Sequence, residues 1–302
     1  MKLGILTVPF AGATLAEVAD WSASAGFEAL EIAAWPSAGG ETRRYAGTSH
    51  VAVEGMTKSR ASEVMGMIGD KGLTVSALGY YPNPLHADAA HRENVIAHLR
   101  SVITAASLMG VKVVNTFMGG DRTLTPDQNW TRALQIFPAI IAHAEDHGVT
   151  LAFENCPMIF SHDEWPGGHN IACTPKIWRR IFDAWDVGMN YDPSHLVWQM
   201  IDQTRFIAEF GAKMVHVHAK DLMIDRDGLY ENGIMSLGIG WQIPRMPGLG
   251  DVNWAAAFAA LYRAGYDGPV IIEHEDRTFE GSDEAIKRGF LLARDVLRPF
   301  VK

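Results

Sequence analysis

Cysteine is scarce in this sequence, and long hydrophobic runs are missing. The 302 residues include two cysteines, Cys156 and Cys173, too few for the disulfide framework that stabilises small secreted domains. No stretch approaches the roughly 18 consecutive apolar residues of a transmembrane helix. The opening residues, MKLGILTVPF, contain no basic segment followed by a long apolar one. No signal peptide or membrane partner is therefore predicted, and the cytoplasm is the expected location.

Dense clusters of basic residues are also missing. The chain has 26 Lys and Arg residues against 35 Asp and Glu residues, which gives a formal net charge of -9. Proteins that bind nucleic acids usually carry a basic face, because contacts with phosphates dominate their affinity. The composition therefore predicts no nucleic-acid partner. A hydrophobic fraction of 48% is ordinary for a globular protein with a large core.

Short β-type segments alternate along the chain with longer segments that have apolar residues at helical spacing. Such an alternation is typical of a parallel sheet with helical crossovers. The predicted strands are LGILT (3–7), ALEIAAW (29–35), TVSALGY (74–80), KVVNTF (112–117), TLAFEN (150–155), VGMNYD (187–192), MVHVHA (214–219) and PVIIEHE (269–275).

Helix-end signals support this alternation. Thr14 with Glu17 three residues later forms a capping box, and Gly26 ends the helix that it begins. Further helices are predicted over 92–108, 126–147, 252–264 (after Asp251) and 282–298. Eight strands alternating with helices predict a (β/α)8 TIM barrel, with residues 1–302 as a single domain. An open doubly wound sheet is the structural rival, but the segment TVPFAGAT after the first strand lacks the G-x-G-x-x-G loop.

Acidic residues and a histidine stand at the ends of four successive predicted strands. These residues are Glu154, Asp192, His218 and Glu273. Parallel barrel strands end on one face, so the four side chains are expected to lie together. Several buried carboxylates must be paired, protonated or bound to a metal, and the strands are expected to provide no inward Arg or Lys. We therefore predict one divalent-metal site, most suited to Mn²⁺, with Mg²⁺, Co²⁺ or Zn²⁺ as alternatives.

Residues around these strand ends are candidates for substrate contact. Lys220 and Asp221 follow the strand that carries His218, and Arg277 lies just past the last strand. Two long segments, 36–57 and 222–250, follow strands two and seven on the face where barrel enzymes place their active sites. Aromatic residues after the strand ends are predicted to form substrate walls: Trp35, Tyr80, Tyr81, Phe117, Trp165 and Trp241. We assign His216, His274 and Cys156 to packing or outer contacts instead.

The sequence resembles the sugar phosphate isomerase/epimerase family of xylose isomerase-like TIM barrels over its whole length. The segments that carry the resemblance are FEN (153–155), YDPSHL (191–196), HVHAKD (216–221), GLGDVNW (248–254) and IIEHED (271–276). The resemblance implies that Glu154, Asp192, His218 and Glu273 bind the metal. It also implies that Glu154 and Glu273 act as acid/base groups and that His195 binds a substrate oxygen.

The resemblance leaves the substrate and the reaction open. It implies a sugar or glycoside substrate and suggests a dimer, a tetramer or a complex with a partner subunit. Where the ketose 3-epimerases of this family have a substrate-binding Arg, this chain has Ile224, which weakens a simple 3-epimerase assignment. The leading hypothesis is a metal-dependent sugar isomerase or epimerase. A lyase that uses the same enolisation is the close rival, while a repair endonuclease and a non-catalytic barrel are less favoured.

Overall fold

The computed structural model describes residues 1–37, 46–158, 169–236 and 240–301. Ten strands are present there: β1 (Lys2–Leu6), β2 (Ala29–Ala33), β3 (Thr74–Gly79), β4 (Val113–Thr116), β5 (Thr150–Glu154), β6 (Gly188–Tyr191), β7 (Met214–Ala219), β8 (Asp221–Ile224), β9 (Gln242–Arg245) and β10 (Pro269–Ile272). The α-helices are α1 (Leu15–Ser24), α2 (Lys58–Gly69), α3 (Ala89–Met109), α4 (Pro126–Asp146), α5 (Pro175–Ala184), α6 (Ser194–Trp198), α7 (Gln203–Phe210), α8 (Arg226–Asn232), α9 (Trp254–Arg263) and α10 (Asp283–Leu297).

Eight of the strands form a closed barrel in the order β1-β10-β7-β6-β5-β4-β3-β2. All neighbouring strands in it are parallel, and β10 pairs with β1 to close the ring. This confirms the predicted (β/α)8 barrel. Gly4 is required in β1, because any side chain there would collide with the backbone carbonyl oxygen of Ala29 on β2. Each of the eight predicted segments overlaps one barrel strand, and β1 begins one residue before its segment, at Lys2.

Local capping explains where the helices begin and end. Thr14 and Glu17 form the predicted capping box of α1, and α3 ends at Gly110, whose φ of 73° is in the left-handed region. Helix α9 differs from the prediction. Its N-cap is Asn253, whose side chain accepts a hydrogen bond from the Ala256 N–H, whereas the Asp251 carboxylate accepts one from the Ile224 N–H at 2.7 Å.

The core lies between the barrel and the surrounding helices. Phe137 of α4 meets Phe153 of β5 edge-on, with ring centroids 5.1 Å apart. Phe290 of α10 stacks on Phe10 at 5.6 Å. These apolar contacts occupy the outer face of the strands, so side chains at the strand ends on the inner face are available for a polar site. Among the described residues, no helix has both the length and the apolar character needed to cross a membrane.

The long segment 222–250, predicted as a loop, contains regular secondary structure. Strands β8 and β9 pair antiparallel as a separate two-stranded sheet, and α8 comes between them along the chain. Residues 237–239 of this segment lie outside the described residues, as do 38–45 of the other long segment and the predicted aromatic wall residue Trp165.

Candidate metal centre and acid/base site

The candidate site lies where β5, β6, β7 and β10 end, and these strands are consecutive neighbours in the barrel. Glu154 is the last residue of β5, and Asp192 directly follows β6. His218 is the fifth residue of β7, and Glu273 directly follows β10. The parallel arrangement thus brings all four predicted ligands to one end of the barrel.

Three of these residues converge on a single point. His218 Nδ1 lies 3.1 Å from Glu273 Oε2 and 3.7 Å from Glu154 Oε2. One donor atom from each residue lies within 4.8 Å of the others. His218 is fully buried and Glu154 nearly so, while the Glu273 side chain is 12% exposed. This set of donors could hold a divalent cation.

Asp192 stands beside this group and is held firmly by its neighbours. Its backbone N–H donates to Asn155 Oδ1 at 2.7 Å, and the Asn155 amide donates back to the Asp192 carbonyl oxygen at 2.8 Å. The Ser194 N–H donates to Asp192 Oδ1 at 2.8 Å. The remaining oxygen, Oδ2, lies 3.2 Å from His195 Nε2 and 3.1 Å from Lys220 Nζ.

Lys220 corrects one step of the sequence argument, which assumed no Arg or Lys pointing inward. Its side chain is only 2% exposed, and its ammonium group lies among carboxylates. Nζ is 2.9 Å from Glu273 Oε2 and 3.0 Å from Glu275 Oε2, in addition to its contact with Asp192. Lys220 follows His218 by two residues and therefore points to the same side of the chain. A metal cation bound here would share these carboxylates with the ammonium group of Lys220.

The surroundings shift the pKa values of Glu154 and Glu273 in opposite directions. Burial, and next the nearby charge of Glu273, raise the pKa of Glu154. Burial also opposes ionisation of Glu273, but the charges of Lys220 and His218 outweigh it and lower the pKa of that carboxyl. Pairs of carboxyl groups whose pKa values are separated in this way are typical of acid/base sites.

Glu31 is a part of the site that the sequence argument missed. It is fully buried on β2, and its Oε2 lies 2.6 Å from His218 Nε2. Oε1 accepts hydrogen bonds from the Tyr81 hydroxyl at 2.5 Å and from the Asn115 amide at 3.1 Å. Burial opposes its ionisation, but the imidazoles of His218 and His216 outweigh burial and lower the pKa of Glu31 to about 2.

The signal for Glu31 was present in the sequence. It is a single carboxylate in the apolar strand ALEIA, whose five residues are all buried. One charge among buried apolar residues needs a partner, and His218 provides it from across the barrel. His216, predicted to have an outer role, donates from Nδ1 to Asn190 Oδ1 at 2.9 Å, and its Nε2 lies 3.7 Å from Glu31 Oε2.

The predicted substrate-contact residues fall into three groups. His195, in α6, is buried with Nε2 3.5 Å from Glu154 Oε1, and Lys220 lies among the carboxylates. Asp221 and Trp241 are fully buried elsewhere: Trp241 packs with Trp198 in a small apolar cluster at a centroid distance of 6.0 Å. Arg277 is exposed and begins a short 3-10 helix. Its contact with substrate stays a prediction.

Asp221 has its hydrogen-bonding capacity used inside the protein. Oδ1 accepts from the N–H groups of Leu222 and Val252, and Oδ2 from the Gly248 N–H and the Trp254 indole, at distances of 2.8–2.9 Å. The carboxylate therefore fastens β8 to the start of α9. This geometry gives Asp221 a structural role in place of the predicted substrate contact.

Two buried atoms favour a bound metal at the predicted position. His218 Nδ1 and Asp192 Oδ2 make ion-pair contacts at 3.1–3.2 Å but no hydrogen bond of good geometry within the described part of the chain, and both face the candidate site. Buried polar atoms are normally satisfied. A divalent cation would satisfy both, and the donor set of carboxylates and one imidazole suits Mn²⁺ or Mg²⁺ and also permits Co²⁺ or Zn²⁺.

Comparison with known proteins gives one family and several structural neighbours. The family model described as xylose isomerase-like TIM barrel matches residues 19–296. The uncharacterized protein YfiH of Bacillus subtilis (strain 168) is 25% identical over 306 residues, covering 92% of this chain and 94% of that protein.

Two solved sugar epimerases have the same fold. D-psicose 3-epimerase of Clostridium cellulolyticum H10, solved with D-tagatose, has 18% identity and a TM-score of 0.69, with 100% of both chains covered. The 3-keto-D-glucoside 4-epimerase YcjR of E. coli has 16% identity and a TM-score of 0.68, with 98% of this chain and 99% of that chain covered. At these identities the structural similarity establishes the fold and leaves the activity open.

Proposed function

The chain belongs to the xylose isomerase-like TIM barrel family, and we propose that it is a divalent-metal-dependent sugar isomerase or epimerase. The observation that carries this proposal is the approach of two carboxylates, Glu154 and Glu273, to one imidazole nitrogen, His218 Nδ1. Structural neighbours described as sugar epimerases support the substrate class. The proposed ligands are Glu154, Asp192, His218 and Glu273.

The chemistry requires removal of a proton from a carbon next to a carbonyl group. A divalent cation held by these residues would stabilise the negative charge of the enediolate that results. Glu273 and Glu154, which both approach His218 Nδ1, are the candidates to accept and return this proton. His195 and Lys220 would orient substrate oxygens.

A lyase that acts on oxidised glycosides is the second candidate. Ile224 stands where 3-epimerases of the family have Arg, and its N–H donates to Asp251. Because its side chain is apolar, it offers no charge to a free ketose. In a 3-oxo-glycoside, removal of the proton at C2 lets the electron pair form a C1–C2 double bond as the C1 substituent leaves. The neighbour YcjR, described as a 3-keto-D-glucoside 4-epimerase, makes this substrate class relevant.

The proposal is tested by incubating the Mn²⁺-loaded protein in D₂O with free ketohexoses and, separately, with 3-oxo-glycosides. Exchange of the proton next to the carbonyl is followed by NMR, together with the product. We expect Glu154→Gln and Glu273→Gln to reduce turnover by about 10²–10⁴-fold, the usual contribution of an acid/base group. Glu63→Gln is the matched control, because Glu63 is exposed on α2 and pairs with Arg60.

The products separate the two candidates. An epimer or an aldose–ketose pair supports the isomerase, whereas release of the C1 substituent from 3-oxo-glycosides alone supports the lyase. Full activity in both Gln variants, or no deuterium exchange with any substrate, would overturn the proposed acid/base role.

A further inference from the structure

Glu154 presents its two oxygens to two different groups of residues. Oε2 faces His218 and Glu273, the proposed primary site. Oε1 faces His195, with a distance of 3.5 Å to Nε2. Cys156 completes this second group, because its thiol, the His195 imidazole and a Glu154 oxygen all lie within 4.8 Å of one another. We propose that Glu154, Cys156 and His195 form a second divalent-metal site that selects Zn²⁺.

The three residues reach this position from adjoining elements. Cys156 follows Glu154 by two residues, so both side chains leave the same side of the extended chain after β5. His195 comes from α6, directly after the neighbouring strand β6. All three side chains are buried, at 2% exposure or less. Residues on adjoining strand ends, fixed by burial, are the kind of scaffold that can support a metal site.

The thiol distinguishes this second site from the primary one. Thiolate, imidazole and carboxylate are the ligands of zinc sites, and three protein ligands leave a fourth position for water or substrate. The primary group contains only oxygen donors and one imidazole, which also suit harder cations such as Mn²⁺ and Mg²⁺. Softness of the sulfur ligand therefore predicts that Zn²⁺, Co²⁺ and Cd²⁺ occupy the second site and that Mn²⁺ does not.

Occupation of the site releases the thiol proton of Cys156. When Zn²⁺ binds, the S–H bond breaks, a Zn–S bond forms and the proton passes to solvent. No oxidant or reductant is involved.

A second metal has a consequence for activity that rests on the proposed function. Glu154 would then bridge two cations, and its Oε1 could no longer take part in proton transfer. His195 would also be unavailable to a substrate oxygen. We therefore expect Zn²⁺ to inhibit the Mn²⁺-loaded enzyme by occupying this second site, an inhibition that depends on Cys156.

The test compares the two cysteines of the chain. Metal-free full-length protein is titrated with Zn²⁺ by calorimetry and with Co²⁺ by absorption spectroscopy, in the wild type, Cys156→Ser and Cys173→Ser. Both cysteines are free, but Cys173 lies outside the group of three ligands, so it is the matched control. We expect two equivalents of Zn²⁺ and a thiolate-to-cobalt charge-transfer band in the wild type and in Cys173→Ser.

In Cys156→Ser we expect the charge-transfer band to disappear and the second Zn²⁺ to bind at least about 100-fold more weakly. Loss of an outer hydrogen-bond partner already weakens metal sites by 10–100-fold, and loss of a ligand should cost no less. Inhibition by Zn²⁺ should be lost in the same variant. Circular dichroism and Cys156→Ala establish whether the variants are folded.

Three results would overturn the inference: a single Zn²⁺ equivalent in the wild type, a charge-transfer band that survives in folded Cys156→Ser, or a band that is lost in Cys173→Ser. Failure of the proposed function would give a different experimental result. It would leave the cysteine-dependent band intact while no sugar ketone is turned over with Mn²⁺.

Discussion

The hydrogen bond between Glu31 and His218 determines which imidazole nitrogen can face a metal. Glu31 is ionised and can only accept, so His218 Nε2 must carry the hydrogen in this bond of 2.6 Å. Nδ1 is then the nitrogen that faces Glu154 and Glu273 and that would bind a metal at this site. A carboxylate behind a ligating histidine commonly fixes the ring in this way and increases its basicity.

Replacing Glu31 with Gln should weaken Mn²⁺ binding by 10–100-fold, because the amide keeps the shape of the side chain but loses its charge. Calorimetric titration measures the change, and the visible spectrum of bound Co²⁺ reports any change in ligand geometry. Ser76→Ala is the control, since Ser76 contacts His216 at 3.1 Å and not His218. Wild-type affinity and an unchanged Co²⁺ spectrum in Glu31→Gln would contradict this role.

Single residues show where sequence reasoning succeeded and where it stopped. Glu154, His218 and Glu273 were predicted to lie together because strand ends are readable from apolar segments, and the structure brings them together. Glu31 and Lys220 were not assigned to this group. Their partners lie 187 and 53 residues away along the chain, and which side chains face each other across a barrel depends on register and closure.

The connection between β8 and α9 depends on one buried carboxylate. Asp221 accepts four hydrogen bonds, from residues on β8, on the segment before α9 and on α9 itself. Gly250 is needed beside it, since a side chain there would collide with Asp221 and with the Leu222 carbonyl group. This arrangement attaches the β8–β9 hairpin to the rim of the barrel, next to Lys220.

Asp221→Asn should therefore destabilise the protein by about 1–3 kcal/mol, because the amide group places donors opposite N–H groups that lose their acceptor. Denaturant unfolding measures the loss. Asp225→Asn serves as the matched control: Asp225 caps α8 through the Asp227 N–H, and Asn caps a helix about as well as Asp. If the two variants were equally stable, Asp221 would not be the anchor.

The barrel strands were predicted from the sequence and β9 was not, because their residue types differ. The barrel strands stood out because they are short apolar segments followed by polar residues. Strand β9 did not, because it contains Pro244, which cannot donate to a strand ladder and argues against a strand. Pro244 is tolerated there because β9 pairs only with β8, opposite Leu222.

Over the whole molecule, the site concentrates negative charge in a chain that already has a net charge of -9. Glu31, Glu154, Asp192, Glu273 and Glu275 are drawn to one end of the barrel, where Lys220 is the cation that contacts three of them. Each carboxylate costs free energy to bury unless it is compensated. The folded state should consequently gain stability when a divalent cation adds positive charge.

Chelation of the metal should lower the melting temperature. At a free Mn²⁺ concentration of 100 times Kd, ligand linkage stabilises the folded state by about 2.7 kcal/mol, which for a protein of this size corresponds to about 5 °C. Differential scanning fluorimetry with Mn²⁺ and with EDTA measures the shift. His218→Ala should show no such shift, and a wild-type protein indifferent to EDTA would contradict metal binding at this site.

The pairing of β1 with β10 has a consequence for the order of assembly. β10 occupies the last position in the ring, between β1 and β7, and Glu273 directly follows it. During synthesis from the N-terminus, the residues that provide Glu31, Glu154, Asp192 and His218 are complete before β10 is made. Until β10 is inserted, the ring stays open and the metal site lacks Glu273, so tight metal binding should mark completion of the barrel.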